Sequence, residues 1–160
     1  MAMTAASGVC ARAINLPLPE KVRQSTVIAR VRVLSTQRNL QDEQHKSVAR
    51  LRILEAIKGT RAGQELELSF DNGFVCPNVI YKKGEDCLVF AEKRSDGRYE
   101  TVNAYNGKYL IRGDRVPYWK PRVEESTSWS NVVVEIRKSA NPYAPAGERD
   151  SIRLQPGTHE

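Results

Sequence analysis

Between Ser25 and Glu92, three runs alternate apolar and polar residues, and a fourth, Cys87-Leu88-Val89-Phe90-Ala91, is apolar almost throughout. Alternation with period two puts successive side chains on opposite faces of a strand, so each such run buries one face and wets the other. The first strand is expected at about Thr26 to Ser35, with Val27, Ala29, Val31 and Val33 on one face and Ile28, Arg30, Arg32 and Leu34 on the other. The second, about Ser47 to Ile57, turns Ala49, Leu51 and Ile53 inward and Arg50 and Arg52 outward. The third, Glu65 to Phe70, turns Leu66, Leu68 and Phe70 inward and Glu65 and Glu67 outward. The fourth run predicts a central strand covered on both faces. Together they predict a small, strongly coiled antiparallel sheet with the character of a barrel.

The flanks fill in the rest. Leu16-Pro17-Leu18-Pro19 is expected to be extended, because each proline pushes its predecessor out of the helical region, and Pro19 to Gln24 has room for one helical turn. Arg98 to Asn103 begins a further strand, and Asn106-Gly107 predicts a tight hairpin whose two central residues take positive φ. Tyr109-Leu110-Ile111 then returns, Gly113-Asp114 turns again, and Pro117 and Pro121 mark an edge or an exit. Ser126 to Lys138 predicts the one longer helix, capped by Ser126 or Ser128, with Trp129, Val132, Val133 and Ile136 on one stripe. From Asn141 onward Pro, Gly and charge dominate, which predicts a mobile tail.

Hydrophobic content of 40% and charge of 28% fit an ordinary soluble domain, and no apolar run reaches the ~18 residues that span a bilayer. The net charge of +6 favours polyanions only if the basic residues gather on one surface. Cys10, Cys76 and Cys87 lack C-x-x-C spacing, and His45 and His159 are the only histidines, so neither a zinc site nor another cofactor is expected. One disulfide and one buried thiol is the simplest use of three cysteines, and it requires an oxidising compartment. Small residues before Cys10 resemble the end of an export signal. Residues 1–9 are therefore expected to be a signal-peptide or expression remnant, 10–139 a barrel domain with its helix, and 140–160 a flexible tail, in a periplasmic or secreted protein.

Candidate chemistry is sparse. Arg30, Arg32, Arg50 and Arg52 share one outer face if the first two strands pair, and like charges across a ladder repel. Glu65 and Glu67 can neutralise that face as solvated salt bridges; the alternative is a platform for a polyanion or single-stranded nucleic acid. Such platforms need exposed aromatic residues for base stacking, and the outward positions of these strands hold none, which makes nucleic acid an unfavoured partner. His45 is expected to be a solvent-exposed loop residue, and Asp42-Glu43 and Glu85-Asp86 solvated turns. Arg112-Gly113-Asp114 matches an adhesion tripeptide but sits where a turn needs Gly-Asp. No catalytic residues are assigned.

With the strands placed, the chain resembles the bacterial relatives of the tissue inhibitors of metalloproteinases, over roughly Cys10 to Trp119. The resemblance lies in an early cysteine, a Val27-Ile-Ala-Arg-Val-Arg-Val33 strand, a Leu51-Arg-Ile-Leu-Glu-Ala-Ile-Lys-Gly59 strand, Cys76 after strand three, and Lys83-Gly-Glu-Asp-Cys-Leu-Val-Phe-Ala91. It implies an OB-like, closed or partly open antiparallel barrel and a non-enzymatic, exported module binding a protein partner, most concretely a metalloproteinase. Carried over, Cys10, Ala11, Arg12, Val75 and Cys76 are the protease-contact residues, and Cys10 pairs with Cys76 in a disulfide worth roughly 4 kcal/mol by loop closure. The family's N-terminal cysteine chelates zinc through a free amine, whereas here nine residues precede Cys10. Its second nearby cysteine is replaced by Arg12, and no cysteine-rich second domain follows.

Overall fold

The computed structural model describes residues 14–74, 77–120 and 126–141. Its core is a sheet of two long strands, β1 (Val27–Arg38) and β2 (Ser47–Lys58), with β3 (Glu65–Phe70), β4 (Asp86–Lys93) and β5 (Tyr99–Thr101). β1 pairs antiparallel with both β2 and β4, β2 with β3, and β5 closes the ring by lying parallel to β3 and antiparallel to β4. The circuit β1-β2-β3-β5-β4-β1 is a closed five-stranded barrel of the OB-like kind that the sequence predicted. A helix, α1 (Leu18–Gln24), precedes it. A longer helix, α2 (Trp129–Ala140), follows two short strands, β7 (Arg115–Val116) and β8 (Thr127–Ser128), which pair with each other.

Alternation fills the barrel as expected. Val31, Leu51, Leu68, Val89 and the ring of Tyr81 share one interior cluster, each at most 2% exposed. Three register shifts between β1 and β2 bend these strands enough to serve two sides of the ring. β4 is buried on both faces, as its unbroken apolar run predicted. Cys87, Val89 and Ala91 point into the barrel, while Leu88 and Phe90 point outward into a second cluster with Ile28, Trp119, Trp129, Val132 and Ile136. Ile28 was expected on the wet face. It is fully buried because the helices cover the start of β1. Burying side chains of this size contributes roughly 1.5–3 kcal/mol each.

α2 begins later than predicted. Ser128 caps it, its hydroxyl accepting from the Asn131 N–H, while Thr127 and Ser128 are still extended in β8. Trp129, Val132, Val133 and Ile136 form its buried stripe. Trp129 Nε1 also donates to Glu55 at 2.6 Å, which fixes the helix to β2.

The Asn106-Gly107 hairpin is not formed. Positive φ falls earlier, at Asn103 and Ala104, and a short 3-10 turn, Ala104–Gly107, links β5 to β6 (Lys108–Leu110). β5 and β6 both pair with β4, one after the other along the same side, rather than with each other. Gly107 answers a different need: a Cβ there would lie 1.9 Å from the Val102 carbonyl oxygen.

Candidate functional site

Three surfaces of the barrel carry enough chemistry to compare. The first is the cleft between the β1–β2 loop and the β4–β5 loop, where OB barrels commonly bind single strands. Here Asp42, Glu43 and Asp96 line it beside Arg94 and Arg98, with no aromatic residue. Arg94 donates to Asp42 at 2.8 Å and lies 3.5 Å from Asp96. Burial pushes the Asp42 carboxyl up, but Arg94 and the backbone N–H groups of His45 and Gln44 outweigh it and hold it down to about 2. Asp42 is thus a half-buried structural anchor, not a solvated turn residue.

His45 also departs from expectation. It is half-buried: Arg94 donates to its Nδ1 at 3.0 Å, and its Nε2 lies 3.4 Å from Glu100. Arg94 therefore engages the Nδ1 side of the ring. Behind that cleft His45 and the buried Ser69 hydroxyl line a second, smaller cavity, and the hydroxyl lacks a hydrogen-bond partner among the described residues.

The second surface is the arginine face. Arg50 and Arg52 are exposed and share Glu65, Arg50 Nε at 2.7 Å and Arg52 at 3.0 Å. Glu67 bonds Arg98 at 3.2 Å, although the register sets it opposite Arg50. Arg30 does not belong to an open platform. It is half-buried, forks onto Asp86 at 2.7 and 3.0 Å, donates to the Gly113 carbonyl at 3.0 Å, and lies over the Trp129 ring. Arg32 lies 3.6 Å from the same Asp86. Asp86, expected in a solvated turn, opens β4 and holds two of the four arginines. Its neighbour Glu85 is likewise engaged, by Lys108 and by the Lys82 N–H.

The third surface was not singled out from the sequence. A groove of about 420 Å³ runs beside β6, walled on one side by Lys108 to Leu110 and on the other by Pro117, Tyr118 and Trp119. Tyr105 and Tyr118 rim it, 40% and 81% exposed, and Leu110 is 42% exposed. Tyr118 holds φ of +62°, a left-handed conformation that is strained for a bulky side chain. Tyr105 follows the left-handed pair Asn103 and Ala104. The Asn103 side chain in turn holds the approaching chain, accepting from the Leu16 N–H and donating to the Ile14 carbonyl.

At the groove's base, Trp119 packs edge-on against Tyr109 with ring centroids 4.9 Å apart. Lys21 of α1 is buried there, donating to the Tyr109 hydroxyl at 2.7 Å and to the Asn106 carbonyl at 2.8 Å. Burial lowers its pKa to about 8 and raises that of Tyr109 to about 12. The local signal in the sequence was Pro117-Tyr118-Trp119, two aromatic residues placed just where a proline ends a strand.

Cys10, Ala11, Arg12, Val75 and Cys76, with the Cys10–Cys76 disulfide, lie outside the described residues. Cys87 is a free thiol inside the barrel, its pKa pushed up to about 12 by burial, which keeps it protonated and inert. The described residues hold no cluster of three or more metal-ligating side chains and no helix long and apolar enough to cross a membrane. No protein-family model matches the chain, and no curated protein matches it either.

Proposed function

We propose that this chain is a non-enzymatic, exported binding module whose partner is a protein. The observation that carries the reading is the distribution of exposed side chains. Tyr105, Leu110 and Tyr118 rim one concave groove, whereas the cleft that would take a nucleic acid holds three carboxylates beside two arginines and no aromatic residue. Tyrosines offer large contact area at low entropy cost and recur in protein-binding surfaces. The pairing of Arg30 and Arg32 with Asp86, and of Arg50 and Arg52 with Glu65, weighs against the polyanion alternative.

The most concrete form of the reading is a metalloproteinase-inhibitor-like role through Cys10, Ala11, Arg12, Val75 and Cys76, and it rests on the family resemblance. Exported protein, made from the full gene, is to be sequenced at its N-terminus and assayed against a zinc proteinase. Cys10 as the first residue, with stoichiometric inhibition, supports this form; a blocked or preceded Cys10 without inhibition removes it. Binding of a single-stranded oligonucleotide that weakens steeply with salt would overturn the wider protein-binding reading.

A further inference from the structure

Among the described residues β6 is an edge strand with one side open. The Ile111 N–H donates to the Asp86 carbonyl at 2.8 Å, so Ile111 and Asp86 form a hydrogen-bonded pair of the antiparallel ladder. Alternation then turns the N–H and C=O of Leu110 away from β4, toward the groove. Arg112 faces the same way and is satisfied, exchanging both hydrogen bonds with Arg115. That small hairpin would next pair Leu110 with Pro117, which has no N–H to give. Tyr118, at φ +62°, then carries the chain away. The groove is the gap left where this hairpin comes apart, bounded by strand backbone on one side and an exposed tyrosine on the other.

Resting on the protein-binding reading above, we propose that the groove takes an extended, acidic polypeptide segment of a partner, added as a strand to the edge of β6. The backbone groups of Leu110, unpaired among the described residues, specify a peptide, because a strand edge is matched by another backbone and not by a base or a sugar. Alternate apolar side chains of the guest would rest on Leu110, Tyr105 and Tyr118. The charge preference follows from Arg112, which is exposed and has no carboxylate partner among the described residues, and from the net charge of +6. Lys108, on the same strand, is already committed to Glu85.

The test uses the whole chain and a fluorescein-labelled octapeptide alternating valine and glutamate, read by polarisation at physiological salt. Its counterparts alternate valine and lysine, or carry the same side chains on an alternately N-methylated backbone. The glutamate peptide is expected to bind at least about tenfold more tightly than the N-methylated one, since losing one well-made backbone hydrogen bond removes about that much affinity, and more tightly than the lysine peptide, whose ammonium groups Arg112 repels. Leu110→Pro removes an N–H that the barrel does not use, so the fold remains and affinity falls about tenfold. Tyr118→Gly relieves the left-handed strain, so thermal stability is kept or raised while binding weakens; a merely structural role predicts no weakening. Arg112→Glu reverses the preference between the glutamate and lysine peptides.

Equal affinity for the N-methylated peptide, or no binding to the glutamate peptide, overturns the proposal. So does displacement of the probe by a synthetic copy of residues 1–13, or a dimer that Leu110→Pro dissolves, since each gives the groove another occupant. If every peptide fails while a folded protein partner still binds, the groove assignment falls and the protein-binding reading stands.

Discussion

Lys21 gives the sharpest quantitative consequence of the fold. Packing α1 against α2 and β4 buries its ammonium beside Tyr109 and Asn106, with no carboxylate bonded to it among the described residues, and lowers its pKa from 10.5 to about 8. A lysine whose folded pKa is depressed is less protonated folded than unfolded between those values, so stability rises with pH through that window. Between pH 7 and 9 the gain from Lys21 works out to about 1.3 kcal/mol.

Cys87 acts in the opposite direction. Its thiol is raised from 9 to about 12, so the unfolded chain loses that proton first and stability falls as pH climbs past 9, by about 0.4 kcal/mol at pH 9 itself. Tyr109, raised to about 12, and Tyr81, raised well above 10, add to the fall beyond pH 10. The sum is a stability maximum near pH 9, about 1 kcal/mol above the value at pH 7. Urea unfolding at half-unit steps from pH 6.5 to 10.5 measures it. Lys21→Met should abolish the rise, and Cys87→Ala should enlarge it and move the maximum to higher pH. A rise that survives unchanged in Lys21→Met would show that folding does not desolvate this lysine, and its burial beside Tyr109 would be wrong.

Other consequences are simpler. Phe90→Ala empties the contact between β4 and the α2 layer and should lower stability by about 3–5 kcal/mol in denaturant unfolding. Arg30→Ala should cost about 1.5–3 kcal/mol, because it takes both close hydrogen bonds from half-buried Asp86 and leaves it only Arg32 at 3.6 Å, whereas Arg50→Ala on the exposed face should cost less than about 1 kcal/mol. Comparable losses at the two arginines would contradict the division of that face. Gly107→Ala forces the backbone away from the Val102 carbonyl and should cost about 2–3 kcal/mol in the same assay, although φ at Gly107 is ordinary.

The barrel was legible because burial in a strand leaves a period-two trace. Val31, Leu51 and Leu68 each sit in an alternating run, and all three meet in one interior. β4 was legible as central because Leu88 and Phe90, at positions that alternation would make polar, are apolar. What failed depended on partners distant in the chain. Nothing near Arg30 points to Asp86, 56 residues on, and nothing near His45 points to Arg94, 49 residues on; polar loop composition was taken for solvent exposure. Asn106-Gly107 misled because glycine was read as a φ requirement when the need there is space beside Val102. The groove left no periodic mark, since its walls come from a 3-10 turn, a three-residue strand and the end of a broken hairpin.

Amide hydrogen exchange resolved by residue distinguishes a closed barrel with one open edge at β6 from a covered or open one. A closed barrel with that edge free gives slow exchange at Ile111, bonded to β4, and through the paired segments of β1 and β4, with fast exchange at Leu110 between protected neighbours. Protection of Leu110 equal to that of Ile111 would mean the edge is already covered, and fast exchange throughout β1 and β4 would mean the barrel is not closed.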